Sequence, residues 1–178
     1  MRMRSPILVM ALLCLFLTPD VVLAQDSESF QDTFLRQFNS SARKFMALAE
    51  AMPAERYSWS PGEGTMSVEV VYMHIARYNY NYLHTYLGAS LPENIDLDTM
   101  EEITGKDEVM EHMRASMDYV REMTKKMGES AMTKDTRLYG RDMQGWGVYF
   151  QLITHMNEHL GQSIAYARMN GVSPPWSR

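Results

Sequence analysis

The stretch HMNEHLGQ, residues 155–162, carries two histidines four positions apart. On a helix that spacing sets His155 and His159 about 40° apart around the axis and one turn apart along it, so both imidazoles leave one face and can share an ion. The spacing alone leaves two readings open, a metal pair or two polar side chains on an ordinary helix. Leu152, Met156 and Leu160 put the pair beside an apolar stripe. Imidazoles turned inward need hydrogen-bond partners or a metal to offset their burial.

Catalytic divalent sites commonly combine three protein ligands with one open position. His74 is the best-placed third ligand, lying between Val71 and Ile75, with Tyr78 and Asn81 following on its face at i+4 and i+7. His84 falls about 80° off that face, and His112 is flanked by Glu111 and Arg114, so both are expected to be exposed. Tyr78, Asn81 and Gln162 are candidates for the cleft or for bracing the ligands. Glu158 could orient an imidazole or act as a base, although an angle of about 80° from the midline of the pair favours an outer role.

These residues must be held by helices. Phe34, Phe38, Phe45, Ala49 and Met52 recur at helical spacing over Phe30–Met52, and Pro53 closes the run. After the loop AMPAERYSWSPGEGTMS, Ser67 followed by Glu69 reads as the capped start of a second helix that ends at Gly88. Tyr78, Tyr80 and Tyr82 alternate as in a strand, but a run of about twenty residues exceeds strand length. A connector over residues 89–105 precedes a third helix, roughly Asp107–Met127, striped by Met110, Met113, Met117, Val120 and Met127. The linker MGESAMTKDTRLYGRD leads to a fourth helix from about Gln144 to Asn170-Gly171, with Gly145 and Gly147 read as a loose helix start. With no convincing strand and no internal repeat, the fold class is all-α, a four-helix bundle whose helix order the sequence leaves undetermined.

The N-terminus has a different logic. Arg2 and Arg4 precede an apolar run from Pro6 to Leu17, and Val22-Leu23-Ala24 offers small residues for cleavage. Residues 1–24 therefore read as a secretory signal peptide, and the run is too short to span a bilayer, which takes about 20 residues. The expected mature domain is 25–178, secreted or periplasmic, with no membrane span after processing. Cutting after Ala24 removes Cys14, the only cysteine, which excludes disulfides, thiolate ligands and cysteine nucleophiles from the mature chain. It also removes Arg2, Arg4 and Asp20, moving the formal charge from −5 to −6. An acidic domain without a Lys/Arg cluster is a poor nucleic-acid binder.

Methionine is abundant, 17 in the full chain, and thioethers in an extracytoplasmic setting could suggest copper(I). The helical repeat of the third-helix methionines favours a core role instead. Tyr78, Tyr80, Tyr82 and Tyr86 divide between core edge and cleft wall.

Three stretches together resemble the DinB-like (DinB/YfiT) superfamily of metal-dependent bundles. MPAERYSWSPGEGTMSVEVVYMHI resembles the family's loop and second-helix start with its first metal histidine, His74. HMNEHLGQ resembles the fourth-helix pair, and YARMNGVSPPWS the C-terminal motif. The resemblance implies one divalent metal, nickel or zinc, on His74, His155 and His159, often in a homodimer. It also implies a small-molecule substrate that the family name does not specify, since characterised relatives are thiol-dependent S-transferases or isomerases. The expectation is an exported metalloprotein, either a transferase or hydrolase-like enzyme or a non-enzymatic bundle binding metal or a small ligand.

Overall fold

The computed structural model describes residues 28–177; the expected leader and its cleavage after Ala24 lie outside them. Four long helices, α1 (Phe30–Ala51), α2 (Val68–Asn81), α3 (Lys106–Thr133) and α4 (Gly145–Met169), form the all-α bundle. α1 and α2 each pack against both α3 and α4, so the order around the bundle is α1, α3, α2, α4. That order places α2 beside α4 and brings His74 to the histidine pair.

Local chemistry sets the helix ends. The Ser29 hydroxyl accepts from Asp32 N–H to start α1, and Ser67 accepts from Val70 N–H to start α2, each satisfying a donor that the first turn leaves free. Beyond Asn81 the chain continues through one wide turn, Tyr82–Tyr86, of i→i+5 type, and Gly88 stops it at φ 80° as the sequence predicts. Buried Glu69 accepts from Gly105 N–H at 3.1 Å, tying the start of α2 to the start of α3.

The core is aliphatic, aromatic and rich in methionine. Phe38, Phe45, Leu48, Val71, Met73, Met113, Met117 and Leu152 are almost wholly buried, and the α3 methionines take the packing role their spacing predicts. Phe45 and Tyr57 both pack edge-on to Tyr72, and Tyr57 Oη donates to Ala49 C=O at 2.9 Å.

Three expectations about the α3–α4 region are corrected. α3 runs beyond Met127 to Thr133, interrupted at Gly128 (φ 61°, ψ −165°). The linker contains an antiparallel hairpin, β1 (Asp135–Leu138) paired with β2 (Arg141–Gln144), with Asp135 opposite Gln144 and Leu138 opposite Arg141. Its strands are short and mostly exposed, so the apolar alternation that marks a strand is missing. Gly145 is not a loose start: a Cβ there would lie 1.8 Å from Ala131 O, and Gly145 N–H donates to Lys134 C=O at 2.8 Å. Among the described residues, no helix is long and apolar enough to cross a membrane.

Candidate metal centre

α2 and α4 face each other with their histidines in register. His74 Nε2 lies 3.2 Å from His155 Nε2, and one ring nitrogen from each of His74, His155 and His159 lies within 4.8 Å of the other two. The ring centroids are 5.1 Å apart for His74–His155, 4.9 Å for His74–His159 and 4.7 Å for His155–His159.

The surrounding bonds decide which nitrogens are free. His74 Nδ1 is 2.9 Å from Glu101 Oε1, and a carboxylate only accepts, so Nδ1 carries the proton and Nε2 presents its lone pair. His159 Nδ1 is 2.7 Å from Gln162 Oε1. The Gln162 amide nitrogen donates to Tyr166 Oη at 2.9 Å, which fixes the amide and makes His159 Nδ1 the donor in turn. Two imidazoles thus turn Nε2 toward one point, each oriented by a partner on its other nitrogen, the arrangement typical of metal-binding histidines.

That donor set fits a divalent cation. Tetrahedral coordination at a metal–nitrogen distance of about 2.05 Å separates ligand nitrogens by about 3.3 Å, close to the His74–His155 contact. Two lone pairs that near repel, so either neutral His155 carries its proton on Nε2 and donates to His74 Nε2, or a cation lies between the two nitrogens. Protonating the imidazoles themselves is disfavoured. Burial, then the charges of His159 and His74, push the His155 pKa down to about 3. Burial also lowers that of His74, outweighing the opposing pull of Glu101. Both are neutral at pH 7, the state that coordinates.

Tyrosines wall one end of the cluster. The Tyr78 ring stands 4.6 Å from both His74 and His155, and Tyr82 lies 5.8 Å from His155. At the other end Trp59 packs edge-on to Tyr166.

The remaining candidates divide. Gln162 braces His159 and Tyr78 lines the cleft. Asn81 turns away, accepting from Thr85 Oγ1 at 2.9 Å. Glu158 is exposed and joins none of the described histidine contacts. His84 is exposed, as expected. His112, expected to be exposed, is instead half-buried, because the 90–95 segment folds over α3 and encloses with it a separate 470 Å³ cavity that His112 lines; among the described residues, only His74, His155 and His159 group as metal ligands. The sequence reading missed Glu101. It stands on a short 3-10 turn, Met100–Glu102, 27 positions beyond His74, and only the acidic run of the connector hints at it.

These features define a helical bundle with a half-buried histidine cluster between two of its helices. A DinB family model matches residues 25–178, and the chain belongs to the DinB family. Among solved structures, a DinB-like protein from Bacillus cereus ATCC 10987 is similar at 18% identity and a TM-score of 0.71, covering 83% of this chain and 98% of its own. A DinB-like protein from Bacillus subtilis is similar at 17% identity and a TM-score of 0.60, covering 79% and 93%. A conserved protein from Enterococcus faecalis shows 13% identity and a TM-score of 0.63, covering 80% and 97%. At these identities the likeness shows the fold alone. No curated protein matches the sequence.

Proposed function

We propose that this protein is an exported metalloprotein that holds one divalent cation, nickel or zinc, on the Nε2 atoms of His74, His155 and His159 and presents it to a small molecule in the α2–α4 groove. The convergence of three ring nitrogens within 4.8 Å carries the reading. Bound there, the cation supplies a Lewis acid that polarises a substrate oxygen or sulfur. Glu101 and Gln162 hold two of the imidazoles in the coordinating tautomer, and Tyr78 shields one side of the cluster from water. The reaction class that fits is metal-assisted transfer or hydrolysis. Export favours hydrolysis, because it separates the enzyme from the cytosolic pool of small thiols that a thiol transfer consumes.

A second reading is non-enzymatic, a bundle in which the cation stabilises the fold or captures a ligand without turnover. One observation favours it. Among the described residues, the acid nearest the cluster, Glu101, is engaged with His74, and Glu158 is exposed, so no separate side-chain base faces the groove. The chain begins in a leader cut after Ala24, giving a mature N-terminus at Gln25, and two copies form a homodimer.

Elemental analysis of protein purified without a histidine tag or chelating column tests the centre, with about one divalent ion per chain expected. A folded, metal-free preparation that takes up neither nickel nor zinc on titration removes it. N-terminal sequencing from the native host tests export, and uncut Met1 in the cytosol overturns it.

A further inference from the structure

We propose that the α3–α4 hairpin builds an anchoring subsite for the carboxylate of a small organic acid with a flat apolar body, whose other end reaches the histidine cluster. The proposal rests on the metal reading above for the role of that far end. Its starting point is Tyr139. Tyr139 and Gly140 form the two-residue turn between β1 and β2, with φ of 50° and 78°. Both central residues of such a turn need positive φ, so Asn, Asp or Gly is normal at the first of them, and a tyrosine there is strained. Strain of this kind is retained where surrounding contacts over-determine it and often marks function.

Burial does not hold Tyr139 in place, since it is 60% exposed. Its hydroxyl instead lies 2.8 Å from Tyr82 Oη and its ring 6.2 Å from Tyr86. Tyr82 is fully buried and in turn faces His155. The turn residue therefore leans back over the end of the α2–α4 groove, and one hydroxyl pair links hairpin to cleft.

Behind Tyr139 lies a cavity of about 300 Å³ lined by Leu138, Tyr139, Arg141, Met143 and Gln151. Arg141 and Met143 are alternate residues of β2 and so share one face of the hairpin. Gln151 precedes His155 by one helical turn on the same face of α4, so the cavity opens about 6 Å along that helix from the cluster. The hairpin's other arginine, Arg137, pairs with Asp142 at 3.4 Å. Arg141 has no carboxylate within ion-pair distance among the described residues, which leaves its planar fork of donors for a ligand carboxylate. Tyr139 and Met143 offer a flat and a deformable apolar surface for the rest of the molecule. A carboxylate at Arg141 with a conjugated body along Tyr139 and Met143 points along α4 toward the histidines.

Calorimetry with trans-cinnamate as probe and cinnamyl alcohol as its neutral counterpart tests this, using full-length mature protein whose metal content is measured on the same samples. Cinnamate is expected to bind about tenfold more tightly than the alcohol. Arg141→Ala should weaken cinnamate about tenfold, leave the alcohol unchanged and leave metal content unchanged, as fits loss of one partly solvated charge-assisted bond. Arg141→Lys should recover part of the loss, and Tyr139→Ala should weaken both probes. Equal cinnamate affinity for wild type and Arg141→Ala, or no preference for the acid, overturns the subsite. Arg141-dependent cinnamate binding by protein that takes up no metal keeps the subsite and removes the metal reading. Metal uptake without that dependence does the reverse.

Discussion

Replacing Glu101 by alanine tests whether the bond to His74 Nδ1 positions a ligand. Glu101 Oε1 touches two groups, His74 Nδ1 at 2.9 Å and, more distantly, Arg77 Nη1 at 3.8 Å. Arg77 keeps a second anchor, because its Nε donates to Leu97 C=O at 2.7 Å. The loss therefore falls mainly on His74, whose ring is then free to rotate and to change tautomer. A hydrogen bond to a charged acceptor contributes about 1.5–3 kcal/mol. The Glu101 side chain is 32% exposed, and water can replace part of the bond, so about 1–2 kcal/mol is the reasonable share. That corresponds to metal binding weaker by about 5–30-fold, overlapping the usual effect of removing a ligand's outer partner. Glu101→Gln keeps an acceptor oxygen without the charge and should lose less.

Competition titration of zinc and nickel against a chromophoric chelator at pH 7.5 measures this, with thermal melts of the metal-free proteins as the control for folding. Metal affinity in Glu101→Ala within about twofold of wild type, with His74→Ala strongly impaired, would refute the positioning argument while keeping the ligand.

The ligands themselves should cost more than their outer partners: His74→Ala, His155→Ala and His159→Ala are each expected to weaken metal binding by more than about 100-fold, with His84→Ala and His112→Ala unchanged in the same titration. Gly145→Ala should destabilise the fold by about 3 kcal/mol, because its Cβ meets the Ala131 carbonyl and not a movable side chain; a loss below about 0.5 kcal/mol in urea unfolding would mean the helix shifts freely. In metal-stripped protein, burial holds the His155 pKa near 3 while the unfolded chain titrates near 6.5, so below about 6.5 the unfolded state binds more protons. Stability is then full above that pH and lost as pH falls toward 3, by about 2 kcal/mol at pH 5 from His155 alone. Urea unfolding at pH 7.5 and pH 5 checks the sign, and an equal pH response in His155→Ala would remove the assignment.

The histidine triad was legible because helical period, apolar flanks and the family resemblance all act within a few residues of His74, His155 and His159. The helices were legible for the same reason, down to the Ser67 cap and the Gly88 stop. Glu101 was not, since nothing local distinguishes it from Glu102 beside it. Only the folding of the 89–105 connector back onto α2 brings one of the two to His74. The hairpin escaped because its turn pairs glycine with tyrosine instead of asparagine or aspartate, and because of its strand residues only Leu138 is fully buried. Gly145 was misread because its need for space comes from Ala131, on another helix.

The placing of Asn81 and Tyr82 shows that helical angle alone does not decide which side chains reach a site. At 100° per residue Asn81 lies about 20° from His74 and Tyr82 about 80° from it, so a regular helix favours Asn81 at the site. The structure does the opposite: Tyr78 and Tyr82 face His155, and Asn81 bonds Thr85. A ladder of residues 74, 78, 82 and 86 along one groove needs about 90° per residue, and a wide i→i+5 turn advances less per residue than an α-turn. That turn occupies Tyr82–Tyr86, beyond Asn81, so it acts on the last step of the ladder, from Tyr82 to Tyr86. Tyr82 and Tyr86 then keep their rings 6.3 Å apart and both meet Tyr139. The wide turn and the strained hairpin turn thus meet at one point: the first keeps Tyr86 beside Tyr82, and the second brings Tyr139 onto both.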